Sequence, residues 1–174
     1  MLKLLKKIVT ACTFTEKVKP GVNDNLEVVG KQCRKLIKRH FAGSLAIRQV
    51  DAGSCNGCEL EIHALNNVFY NLERFGIHFV ASPRHADMLL VTGPVTKHME
   101  AALKTTYDAT PKPKIVVAVG NCAINGGEFG KSYAIRGGVS EVIPVDVVIR
   151  GCPPTPLDML QGILLAIGKK SSTH

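Results

Sequence analysis

Two manners of alternating apolar and polar positions divide this chain. Up to residue 43, short apolar groups are interrupted by lysines and arginines at helical spacing. From Ser44 onward, nearly continuous apolar runs recur between longer mixed stretches. LAIRQV, IHFV, ADMLLVTG, PKPKIVVAVG and VIPVDVVI read as strands, several of them closed by glycine. Helices are expected from about Glu59 to Leu72, over residues 97–107, and in PLDMLQGILLAI, which has proline at its first turn. NCAINGGEFGKS reads as a Gly-rich loop. Apolar strands separated by helices require an α/β fold, a mostly parallel sheet with helices on both faces.

Charge sharpens the division. Residues 1–50 hold 11 Lys or Arg against three acids, a net of +8; residues 51–174 hold 11 against 11, a net of zero. The formal charge of the whole chain thus sits in its first part. The organisation expected is a basic, partly helical segment over residues 1–43, an α/β domain over residues 44–168 and a short tail over residues 169–174. Leu2, Leu4, Leu5, Ile8 and Val9 alternate with Lys3, Lys6 and Lys7 as in a short amphipathic helix, and KQCRKLIKRHF reads as a second one. Such helices suit an anionic membrane surface or a partner protein.

Composition removes several classes. A hydrophobic content of 45% excludes wholesale disorder. With 5% aromatics and no Trp, the basic segment lacks stacking platforms, so no nucleic-acid partner is expected. No apolar run approaches the length of about 18 residues needed to span a bilayer. The opening MLKLLKKIVTACTFTEK lacks a secretory core, and the chain reads as cytoplasmic.

Six cysteines without an export signal point to metal or redox chemistry. Cys55 and Cys58 follow the first strand, Cys122 follows IVVAVG and Cys152 follows VDVVI. All four fall just beyond the carboxyl ends of expected strands, the edge where open α/β sheets place their ligands. Three chemistries fit: a dithiol of Cys55 and Cys58 alone, a tetrahedral zinc with four thiolates, or a cubane iron–sulfur cluster drawing ligands from several loops. The glycines around these cysteines and the Cys152-Pro153 pair favour the cluster. Cys12 and Cys33 read as small apolar residues.

GSCNGCELEI, SPRHADMLLVTGPVT, VVAVGNCAINGG and IPVDVVIRGCPPTP resemble the small, cluster-bearing subunit of membrane-bound energy-converting [NiFe] hydrogenases, of the formate hydrogenlyase and hydrogenase-4 type. More distantly the chain resembles the 20-kDa subunit of NADH:quinone oxidoreductase. The similarity runs from about Leu45 to Ile167. It implies a flavodoxin-like sheet and one [4Fe–4S] cluster ligated by Cys55, Cys58, Cys122 and Cys152. It implies as partners a hydrogenase large subunit with the NiFe centre, a ferredoxin-like iron–sulfur subunit and integral membrane subunits. The chain is then an electron relay, not catalytic alone, held by its partners at the cytoplasmic face of the cell membrane, with the basic segment toward the membrane arm. The first motif, Cys55-Asn56-Gly57-Cys58, has the hydrogenase form; the quinone reductase subunit has two adjacent cysteines there.

Two alternatives stay open: the equivalent subunit of a quinone oxidoreductase or of a hydrogenase-related complex lacking nickel, and, from another class, a structural zinc-binding interaction protein. Glu61 matches the glutamate of the family motif and is the candidate proton relay; Glu59 reads more simply as an acid at a helix start. His85 and Arg84 of SPRHAD are candidates for shaping the large-subunit interface, and His63 for the interface or the surface. Arg150 stands where the family more often has proline. Lys131 in GEFGKS belongs to no complete phosphate-binding loop.

Overall fold

The computed structural model describes residues 24–171. The pattern of Leu2 to Val9 and the position of Cys12 lie outside these residues. Among them the chain forms helix α1 (Asp24–His40), strand β1 (Leu45–Asp51), helix α2 (Gly57–Leu65), strands β2 (Ile77–Phe79), β3 (Met88–Thr92) and β4 (Val95–Thr96), helix α3 (Lys97–Ala109), strand β5 (Ile115–Val119), helix α4 (Gly120–Asn125), strands β6 (Ile135–Gly137) and β7 (Val147–Ile149), and helix α5 (Pro156–Ser171).

Five strands make the main sheet in the order β2-β1-β3-β5-β7, parallel at every pairing. This is the flavodoxin-like order that the family resemblance implies, with its switch point between β1 and β3. Strands β3 and β5 are wholly buried and apolar at every position except Thr92. Their alternate residues feed two separate cores. Met88, Leu90, Ile115, Val117 and Val119 face α1, α2 and α5; Leu89, Val91, Val116 and Ala118 face α3 and the segment around Val139 and Ile143. Strand β4 pairs antiparallel with β6 in a separate two-stranded sheet.

Register is fixed by a device used twice. Asp87, just before β3, donates its backbone N–H to the Ala46 carbonyl at 2.8 Å and accepts the Ala46 N–H on its carboxylate at 3.0 Å. Asp146, just before β7, does the same with Val116, at 2.9 Å and 2.8 Å. A one-residue slip would break both bonds of each pair and turn the apolar faces outward.

Three expectations are corrected. The helix after the first cysteines ends at Leu65, not Leu72, because the Asn67 side chain accepts the Phe69 and Tyr70 N–H groups, both at 2.9 Å, and closes a turn. The Gly-rich loop opens with the short helix α4. Of VIPVDVVI only Val147–Ile149 pair as a strand, since Asp146 marks where β7 meets β5. The basic helix expected within KQCRKLIKRHF is the second half of α1. Its apolar stripe, Leu26, Cys33 and Ile37, packs into the core shared with α5, so the face left for a partner is the basic one. Cys33 is fully buried and its thiol points at the Leu160 carbonyl, 3.9 Å away.

Candidate metal centre

All four cysteines singled out from the sequence lie at the carboxyl edge of the sheet, and each is a free thiol. β1 leads into the first loop, where the Asp51 carboxylate accepts the Gly53 and Ser54 N–H groups, both at 2.8 Å, and turns the chain upward. Asn56, in the left-handed region at φ 71°, reverses it again so that α2 starts at Gly57 and carries Cys58 in its first turn. Cys55 precedes that reversal and stays exposed.

Cys122 rides on α4, which begins directly at the end of β5. Cys152 lies in the turn between β7 and α5. That turn is short because α5 is capped immediately: the Asp158 N–H donates to Thr155 Oγ1 at 3.2 Å and the Thr155 N–H returns to the Asp158 carboxylate at 3.1 Å. Asn121 joins the two loops. Its N–H donates to the Gly151 carbonyl at 2.9 Å, and its side-chain oxygen accepts the Gly151 N–H at 3.1 Å.

Glycine keeps the space between the thiols open. Gly120 has φ 85°, and a Cβ there would stand 2.7 Å from Cys58 Sγ; Gly127 has φ 53°, and a Cβ there would stand 2.7 Å from Cys122 Sγ. A side chain at either position would both strain the backbone and fill the volume beside a sulfur.

The thiols interact electrostatically as one group. Cys58 is pushed up to about 12, first by burial, then by the carboxylate of Glu59 and the neighbouring thiolates of Cys122, Cys55 and Cys152. Cys122 is also raised, by burial and then by Cys152 and Cys55, against a backbone N–H from Glu128 that favours its thiolate. Four thiolates that repel one another call for a strongly cationic ligand to bind them together. Among the described residues, no group of three or more His, Cys, Asp or Glu is arranged to hold a metal ion. A cubane takes one thiolate at each of four separated irons, so its ligands need not meet at a common point. The spread, the donor type and the glycine-cleared space fit an iron–sulfur cluster.

The neighbouring charges differ from the sequence reading. Glu61, the candidate relay, is half-buried. Glu59 is the buried one, 5% exposed, and neither carboxylate oxygen has a hydrogen-bond partner. Residue type gave no sign of this, because burial is decided by which face of α2 meets the core. His63 is exposed on α2. Arg84 and His85 precede β3 and so lie at the amino edge of the sheet, across the molecule from the thiols; they take no part in this site. Lys131 is paired with Glu141 at 2.8 Å. Arg150 is exposed and lines a cavity together with Cys152.

Comparison with known proteins follows the same region. The family model of the NADH ubiquinone oxidoreductase 20 Kd subunit matches residues 55–166. Formate hydrogenlyase subunit 7 of Escherichia coli (strain K12) is 43% identical over 147 residues, covering 84% of this chain and 56% of that protein, so the match spans little over half of the relative. The probable membrane-bound hydrogenase subunit mbhJ of Pyrococcus furiosus is 49% identical over 120 residues, covering 69% of this chain and 72% of the relative. Among solved structures, a chain of the membrane-bound sulfane sulfur reductase, an archaeal respiratory membrane complex, superposes with a TM-score of 0.63 at 40% identity, covering 72% of this chain and 69% of that one.

Proposed function

The chain belongs to the NADH ubiquinone oxidoreductase 20 Kd subunit family, whose members are subunits of oxidoreductase complexes, and from that membership we propose that Cys55, Cys58, Cys122 and Cys152 hold one [4Fe–4S] cluster in the electron-transfer subunit of a membrane-bound hydrogenase of the formate hydrogenlyase type. The observation that carries this reading is the gathering of four free thiols, from loops after β1, β5 and β7, at one edge of the sheet, with Gly120 and Gly127 keeping the room between them clear. When bound, such a group supplies one-electron transfer between a ferredoxin-like subunit and the nickel–iron centre of a large subunit.

The chain's own residues supply position and field. Asn121 fixes the distance between the loops of Cys122 and Cys152. The Glu128 N–H stabilises the thiolate of Cys122. The large subunit covers the rim and excludes water, which the exposed Cys55 and Cys152 require. Glu61, half-buried on α2 beyond the thiols, relays protons toward that subunit. A Glu61→Gln protein that keeps its cluster loses proton-coupled turnover; unchanged turnover would remove the relay.

No helix among the described residues is long and apolar enough to cross a membrane. We propose that partner subunits hold the chain at the cytoplasmic face, with the basic face of α1 turned toward the membrane arm; residues 1–23 of the same basic segment lie outside the described residues. The likeness to the sulfane sulfur reductase chain favours one second reading: a hydrogenase-related membrane complex that carries out different redox chemistry. Anaerobic purification of the tagged subunit with its partners, followed by mass spectrometry, separates the two. A large subunit with two Cys-x-x-Cys nickel-ligand motifs supports the hydrogenase. One without them keeps the relay and removes the hydrogen chemistry.

A further inference from the structure

Beside the thiols, between α4 with its following loop and the turn after β7, lies a cavity of about 340 Å³ whose walls include Asn121, Asn125, Glu128, Arg150 and Cys152. Hydrogen bonds orient its polar groups. The Asn121 side-chain oxygen accepts the Gly151 N–H at 3.1 Å, and the Asn125 side-chain oxygen accepts the Gly127 N–H at 2.9 Å. Both amides therefore spend their carbonyls on the backbone and retain their NH₂ groups as donors. Arg150 makes no ion pair with any described residue, and Glu128, the acid on the same wall, is not paired with it. The cavity thus carries a permanent cation, two amide donors and one acceptor.

The segment walling it is unusual for this chain in another respect. Among the described residues, three aromatic side chains stand exposed; one of them, Phe129 at 50%, follows Glu128 directly, and a second, Tyr133 at 91%, lies five residues beyond it in the same loop. Exposed aromatics in the loop that supplies one wall, and an unpaired arginine on the other, are residue types that interfaces favour.

We propose that this cavity receives an acidic segment of the protein chain that covers the thiol rim, with an Asp or Glu carboxylate on Arg150 and the two amides, a backbone N–H of the same segment on Glu128, and its flanks against Phe129 and Tyr133. The inference rests on the reading above that a partner subunit covers this edge. Glu128 selects against a sulfate or a nucleic-acid phosphodiester, which bring charge for Arg150 but no donor for the acid. A peptide brings both. Guanidinium and carboxylate match in a two-pronged geometry that lysine does not reproduce.

The test uses the complex purified anaerobically from its host, carrying wild-type, Arg150→Glu, Arg150→Lys or, at the opposite edge of the sheet just before β5, Lys112→Glu subunit. The readout is retention of the covering subunit as salt is raised. Arg150→Glu is expected to weaken association by roughly tenfold or more, by setting like charges against each other; Arg150→Lys loses less, and Lys112→Glu behaves as wild type. Retention of the Arg150→Glu complex equal to wild type would overturn the proposal. Should that variant not fold, a photo-crosslinking residue replacing Tyr133 is expected to capture a partner segment containing Asp or Glu, and capture of a segment without an acid overturns it equally. Iron content of the wild-type subunit is measured in parallel. Its absence would sink the cluster reading, whereas iron present with Arg150→Glu unaffected would sink only the pocket.

Discussion

Asn121 and Gly151 are bonded in both directions, N–H to carbonyl at 2.9 Å one way and N–H to side-chain oxygen at 3.1 Å the other. They lie 30 residues apart, and each is the immediate neighbour of a rim cysteine. Replacing Asn121 with Ala removes the side-chain half of this clamp. Water can reach the freed Gly151 N–H, so the expected loss is modest, about 0.5–1.5 kcal/mol, measured by denaturant unfolding of the cluster-free chain. The larger effect falls on the distance between Cys122 and Cys152, and the variant is expected to release iron faster than wild type when challenged with a chelator.

Gly120→Ala tests whether the space between the thiols matters. The added methyl meets Cys58 Sγ at 2.7 Å from a backbone at φ 85°, and the variant is expected to take up little or no iron. Gly168→Ala is its control. That residue is inside α5 with nothing within 4 Å of an added Cβ, and the substitution is expected to stabilise the chain by about 0.5–1 kcal/mol.

Glu59 is expected to cost stability. Its two oxygens are buried without hydrogen bonds, a penalty of about 1–3 kcal/mol for such a group. Glu59→Met, similar in length and unbranched, should raise the unfolding free energy of the cluster-free chain by that order. A loss of stability instead would mean that the carboxylate has partners inside the fold.

Cys33 gives a pH dependence with a defined sign. Burial pushes its thiol from the ordinary 9.0 up to about 12. The folded chain therefore holds a proton that the unfolded chain has released. The contribution is complete below pH 9, shrinks as pH rises above it, and is gone beyond about 12. Thermal unfolding across this range should show a shallower alkaline decline in Cys33→Ala than in wild type, both compared in the cluster-free state because Cys58 declines in the same window.

Much of this was legible in the amino-acid order. β3 and β5 were plain because a strand buried on both faces is apolar at nearly every position, Thr92 being the one exception. The position of the four thiols followed from β1, β5 and β7, since chain order alone places a residue beyond the end of a parallel strand at the carboxyl edge. Local patterns misled where a side chain intervened. Asn67 ended α2 early, and Asp146 shortened an apolar run to the three residues of β7. The lysines and arginines of α1 drew attention away from Leu26, Cys33 and Ile37, whose spacing already described a core-facing stripe. What could not be read was tertiary: the Asn121–Gly151 clamp, the burial of Glu59 rather than Glu61, and the wall that Arg150 shares with Cys152.

The central claim is that Cys55, Cys58, Cys122 and Cys152 together hold one cubane. Iron and acid-labile sulfide should be counted on the anaerobically purified subunit, alongside electron paramagnetic resonance of the reduced sample, for wild type and for each cysteine changed singly to alanine. The account predicts about four irons and four sulfides per chain, lost or degraded in each of the four rim variants and retained in Cys33→Ala. One zinc per chain without sulfide, or an intact cubane signal after loss of Cys122 or Cys152, would contradict it.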